Sequence, residues 1–167
     1  MSSLRDVFAV LEQMRDERVV SAYAIGGATA VLFYAEPTRT YDVDVFVTLP
    51  ADTPAALSLA PVYSWALARG IASEGDHLIV EGVPVQVLPA YNRLVEDAVA
   101  EARVHDYEGV LVRVVGPEHL VALALQAGGA RRRERAWQLI ETGGVDGPRL
   151  RRILDTHAIV AEIPDDV

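Results

Sequence analysis

What most restricts the fold of this chain is the order of features written between Val19 and Val47. An apolar run closes at Ile25, Gly26-Gly27 follows, Ala28 to Tyr34 reads as a helix, and a polar turn with Pro37 leads into Asp42-Val43-Asp44-Val45-Phe46-Val47. The first and last runs are rich in residues that suit a pleated, half-buried surface, so the segment predicts a strand–helix–strand unit, with strands over 19–25 and 42–47. Residues two apart on a strand point to one face, which sets the Asp42 and Asp44 carboxylates roughly 6.5–7 Å apart along one edge. That separation suits shared divalent cations. The glycines lack a Cβ, so the backbone N–H groups that open the next helix can approach an anion closely. A glycine pair alone is a common turn, and an acidic pair alone is a common solvated strand end. Their order within one short unit is what points to a metal–triphosphate site.

Ser3 with Asp6 forms a capping-box pattern, and Leu4, Val7, Phe8, Leu11 and Met14 recur at helical spacing. Beyond the central unit, Ala55 to Arg69 reads as a helix, and His77 to Glu81 with Val83 to Leu88 reads as a hairpin about Gly82. A helix over 94–102, a strand over 110–115 and a helix opened by Pro117 follow. Two more helices finish the chain, the last starting near Asp146 with Leu150, Ile153, Leu154 and His157 on one stripe. The fold class is α+β, a mixed sheet flanked by helices. Residues 1–115 form the core, and 116–167 form a helical segment packed on it as one compact unit. His77, His105 and His119 have no partner at metal-ligand spacing and read as core or surface residues. Trp65 and Trp137 read as packing residues, and the tail from Pro164 to Val167 as a frayed end.

Cysteine is absent, which excludes disulfides and thiolate metal sites and accords with a cytoplasmic location. No apolar run approaches a membrane span, and Arg5, Asp6, Glu12, Arg15, Asp16, Glu17 and Arg18 argue against a signal peptide. A net charge of −9 opposes contact with a long polyanion over the whole surface and favours a compact, metal-masked ligand. Arg131-Arg132-Arg133-Glu134-Arg135, with Arg149, Arg151 and Arg152 downstream, is a local cationic exception. Three destinations suit it: RNA, a triphosphate, or the acidic face of a partner.

From about Ala22 to His157 the chain resembles the nucleotidyltransferase superfamily with a polymerase-β-like palm, and within it the stand-alone bacterial branch related to toxin-type nucleotidyltransferases. The resemblance rests on Gly26, Gly27, Thr40, Asp42, Val43 and Asp44, which fit the pattern G-G, helix, R-x-T-x-D-h-D, and on Val83-Pro84-Val85-Gln86-Val87-Leu88-Pro89. Arg39 stands one place closer to Thr40 than that pattern asks. Two further departures matter. Gln86 occupies the position where most active members place a third carboxylate, and Gly128-Gly129-Ala130-Arg131-Arg132-Arg133 stands where relatives carry G-R-x-K-D-R.

The resemblance implies transfer of a nucleoside monophosphate from an NTP to a hydroxyl of RNA, protein or a small molecule. Asp42 and Asp44 would hold Mg²⁺ or Mn²⁺, Gly26 and Gly27 would cradle phosphates, and Arg39, Thr40 and Gln86 would complete the substrate site. The acceptors it implies include tRNA. The alternative is a weakly active or inactive nucleotide-binding relative, one half of a toxin–antitoxin pair.

Overall fold

The computed structural model describes residues 3–36, 42–55 and 58–167. In chain order the elements are α1 (Ser3–Asp16), β1 (Ala22–Ile25), α2 (Gly27–Val31), β2 (Val43–Thr48), α3 (Ala60–Ala68), β3 (Ala72–Glu74), β4 (His77–Val80), β5 (Val83–Pro89), α4 (Arg93–Ala100), β6 (Arg103–Tyr107), β7 (Val110–Val114), α5 (Pro117–Ala127), α6 (Ala130–Thr142) and α7 (Gly147–Thr156). The strands form one mixed sheet in the order β3-β4-β5-β2-β1-β7-β6. Within it, β1 runs parallel to β7 and β2 parallel to β5, and every other pair is antiparallel.

The α+β architecture is the expected one, with two strands added. β3 and β6 lie at the two edges of the sheet, where exposed residues predominate and little periodic burial marks the sequence. Several elements are also shorter than their apolar runs. β1 begins only at Ala22, because Val19 and Val20 donate backbone hydrogen bonds to Met14 and complete the exit from α1. α2 ends at Val31 and continues as turns through Tyr34. α3 starts at Ala60 because Pro61, lacking an N–H, fits only the first turn of a helix.

The core is built by period. In β2, Val43, Val45 and Val47 are buried on one face, while Asp44 and Phe46 share the other. α1 lies across β1, β4, β5 and β7 and buries Val7, Phe8, Leu11 and Met14. α5 packs on α2, α4, α6 and α7, so the C-terminal helices are joined to the sheet largely through this one helix. The tail is held, not frayed: Arg151 donates to the carbonyls of Pro164 and Val167 at 2.8 and 3.4 Å. Trp65 packs against the core under the Arg69 guanidinium, 4.0 Å from its ring centre. Trp137 is instead exposed on α6. Among the described residues no helix is long and apolar enough to cross a membrane.

Candidate active site

One row across the sheet brings several of the candidate residues together. Asp44 on β2 pairs in register with Gln86 on β5, and Gln86 pairs with His77 on β4. Beside Asp44, on the β1 side, the Gly26 N–H donates to the Asp44 carbonyl at 2.9 Å. Gly27, at φ +57°, lies so close to the Asp44 carboxylate that a Cβ there would overlap it, and a Cβ on Gly26 would overlap the Phe46 ring. The two glycines therefore let the chain turn flush against the acidic strand. One expected feature changes, because the Gly26 N–H is already committed to the sheet. The donors that lack an intrahelical partner at this corner are those of the first turn of the short α2 that follows.

Asp42 stands just before β2 with its side chain 47% exposed, and its carbonyl accepts from the Thr29 hydroxyl at 3.2 Å. Asp44 is more enclosed. Burial, and then the charge of Asp42, push its carboxyl above the ordinary aspartate range, against the pull of His77, Arg135 and Arg132. A half-buried carboxylate held beside a second negative charge has the electrostatics of a site that draws a cation. Among the described residues no group of three or more His, Asp or Glu side chains is arranged to hold a metal ion. A cation at Asp42 and Asp44 would thus complete its shell with water and substrate oxygens, as Mg²⁺ commonly does. On that footing the acidic pair fits the group.

His77 and Asp76 join the site unforeseen, and two arginines of the cationic block, for which a triphosphate is one of three destinations, line it as well. His77 Nε2 lies 3.6 Å from Asp42 Oδ2, and its Nδ1 lies 2.8 Å from Asp76 Oδ1. Gln86 donates from Nε2 to Asp76 Oδ2 at 3.0 Å. That hydrogen bond, its own backbone N–H and the neighbouring imidazole hold the Asp76 carboxyl below the usual range. At the position where the resemblance expects a third carboxylate, the Gln86 amide thus ties down a carboxylate from the β3–β4 turn. The signal for His77 was the hairpin itself, whose register about Glu81-Gly82 sets His77 opposite Gln86.

Asp44, Gln86 and Gly27 line a cavity of about 280 Å³ whose remaining walls include Phe46, Leu88 and Tyr91 from the sheet side, Leu120 and Leu123 of α5, and Arg132 and Arg135 of α6. The cationic block is thereby divided. Arg132 and Arg135, one helical turn apart, face the carboxylate side, whereas Arg149 pairs with Glu101 at 3.2 Å and Arg151 holds the tail. Arg39 and Thr40 lie outside the described residues.

The sequence matches no family model and no curated protein. Solved structures do match. A nucleotidyltransferase-like antigenic protein from Paracoccidioides brasiliensis superimposes with a TM-score of 0.59 at 18% identity, over 93% of this chain and 87% of that one. ANT(2″)-Ia, crystallised in complex with adenylyl-2″-tobramycin, gives 0.54 at 15% identity, over 94% and 98%. The solution structure of the antibiotic-resistance factor ANT(2″)-Ia gives 0.52 at 14% identity, over 95% and 93%. Each likeness spans nearly both chains, and at these identities it is one of architecture: the mixed sheet and its helices form a nucleotidyltransferase-like fold.

Proposed function

We propose that this chain is a divalent-metal-dependent nucleotidyltransferase that moves a nucleoside monophosphate from an NTP to a hydroxyl acceptor. The observation that carries the reading is the polarity of one cavity, with Asp44 and a Cβ-free glycine corner on one side and Arg132 and Arg135 on the other. A triphosphate needs both. Its charge is matched by arginine, which binds phosphate with a planar fork of donors, and the acids bind it only through a shared cation. Asp42 and Asp44 would hold Mg²⁺ or Mn²⁺, which when bound supplies charge neutralisation and activation of the attacking hydroxyl.

In the reaction the acceptor oxygen bonds to the α-phosphorus as the bridging α–β P–O bond breaks, pyrophosphate leaves, and the hydroxyl proton passes to solvent water. Arg132 and Arg135 take up the β and γ charge that grows on the leaving group. The missing side chain of Gly27 lets the turn close on Asp44, and Gln86 holds the Asp76–His77 turn beside the acids. A compact acceptor accords with the net charge of −9, and ANT(2″)-Ia, a protein of similar fold, was solved with an adenylylated small molecule.

The test is calorimetry with NTP and Mg²⁺ on the wild type and on Asp42→Asn. Binding should weaken at least tenfold in the variant, and equal binding would remove the carboxylates from the mechanism. The second reading, a nucleotide-binding protein without turnover, is favoured by the amide at Gln86, which cannot accept a proton as a third acid would. Label transfer from NTP to any acceptor, dependent on Mg²⁺ and lost in Asp44→Asn, would exclude it.

A further inference from the structure

We infer that the cavity holds the nucleobase by stacking on Tyr91 and does not read the base edge, so that purine triphosphates are favoured over pyrimidine ones while adenine and guanine are treated alike. This rests on the nucleotidyltransferase reading and adds the part of the substrate that reading leaves open.

The floor of the cavity is laid by two parallel strands in fixed register. Asp44 sits beside Gln86, and two residues further on, on the same face, Phe46 sits beside Leu88. That step is about 6.5–7 Å along the strands. Past the end of β5 stands Tyr91. The floor thus changes from polar to apolar in one direction, with the acids, and the arginines whose charge reaches Asp44, at the polar end. A triphosphate anchored there sends its sugar and base along the floor toward Phe46, Leu88 and Tyr91.

Tyr91 has the properties of a stacking surface. It is 62% exposed although it lines a cavity, and its ring is set edge-on to Phe46 with centroids 6.3 Å apart. Phe46 is itself 8% exposed, so the tyrosine leans on a buried ring while most of its own surface stays open. Nearby, Leu88, Leu120, Leu123 and Ala124 offer no side-chain donor or acceptor. A site built to hydrogen-bond a group rejects analogues that lack it by about 10⁴–10⁵-fold. Stacking is tolerant of base identity, because every base has a π-face, and it grows with ring area.

The experiment is calorimetry on the full chain with Mg²⁺ and ATP, GTP, CTP, UTP or inorganic tripolyphosphate, for wild type, Tyr91→Ala and Tyr91→Phe. ATP and GTP should bind within about threefold of each other and several-fold tighter than CTP and UTP. Tyr91→Ala should weaken every NTP by about five- to a hundredfold, the range expected for loss of one stacked base, and leave tripolyphosphate unchanged. Tyr91→Phe should bind like wild type. The inference is overturned if Tyr91→Ala binds NTPs normally, if Tyr91→Phe is as weak as Tyr91→Ala, or if one base is preferred more than about a hundredfold, which only edge contacts would give. NTPs that bind no tighter than tripolyphosphate would also overturn it while leaving the phosphate site standing. If neither binds, the nucleotidyltransferase reading falls, and this inference with it.

Discussion

At Gly27 one missing methyl group does two jobs. Its φ of +57° lies in the left-handed region, and its open Cα lets the Asp44 carboxylate close against the backbone. An alanine there meets both constraints at once. The backbone part costs about 1–2 kcal/mol for an L-residue, and the overlap with the carboxylate adds to it because Asp44 is held by its strand. We therefore expect Gly27→Ala to lower stability by about 2–3 kcal/mol. In an Asp44→Ala background the second part should vanish, leaving only the backbone cost. Urea unfolding of the four proteins in the cycle measures the coupling directly. Strict additivity would mean that the glycine serves the turn alone and not the closeness of turn and acid.

Between elements, a buried tie outside the sheet is made by Glu118 in the first turn of α5. Its side chain is 1% exposed and accepts from Arg103 of β6, at 3.1 and 3.4 Å, and from the backbone N–H of Asp146 at the cap of α7, at 3.0 Å. The partners are unequal, since Arg103 is 43% exposed. Removing the arginine strands a buried carboxylate, whereas neutralising the acid leaves a cation that can still reach water. Arg103→Ala should therefore cost about 3 kcal/mol and Glu118→Gln no more than about 1–2 kcal/mol. Denaturant midpoints in the reverse order would place the burden on the Asp146 contact. How much of this scale is legible beforehand depends on the element. The hairpin about Glu81-Gly82 is readable because both residues take positive φ, as a tight turn needs, and apolar arms flank it. Glu108-Gly109 has the same conformation, yet its first arm, Arg103 to Tyr107, is a polar edge strand and gives no alternation to read. The strand order that sets Gln86 beside Asp44, and α6 over both, is long-range and leaves no local trace. That is why Asp42, Asp44, the glycines and the cationic block could each be picked out as candidates, while the meeting of His77, Asp76, Arg132 and Arg135 beside them could not.

Taken whole, the molecule is joined at a second cluster where α4, α5 and α7 meet around a cavity of about 320 Å³. His119, 2% exposed, lies with Nε2 3.5 Å from Glu101 Oε2, its Nδ1 has no hydrogen-bond partner among the described residues, and His157 Nε2 lies 3.1 Å from Asp97 Oδ2. Burial is the chief cause that pushes the His119 imidazole below its ordinary range. Arg149 adds to that, while Glu101, Asp97 and Glu118 oppose it. The sign follows from linkage. Below the unfolded value of 6.5 the unfolded chain takes up a proton that the folded chain resists. Stability is therefore intact above that pH and falls as the pH drops from there toward the folded value. His105, also held low by burial and then by Arg103, acts in the same direction. Each such histidine contributes a slope of at most about 1.4 kcal/mol per pH unit. Urea unfolding at steps from pH 7.5 to 5 should show a plateau followed by this decline, and His119→Gln should remove a large part of the slope. Because α5 also lines the cavity proposed to take the nucleotide, through Leu120 and Leu123, the same acid window should weaken binding of NTP with Mg²⁺ in the wild type more than in His119→Gln. A variant whose acid slope and acid loss of binding both match the wild type would show that this three-helix junction does not govern how the molecule responds to protons.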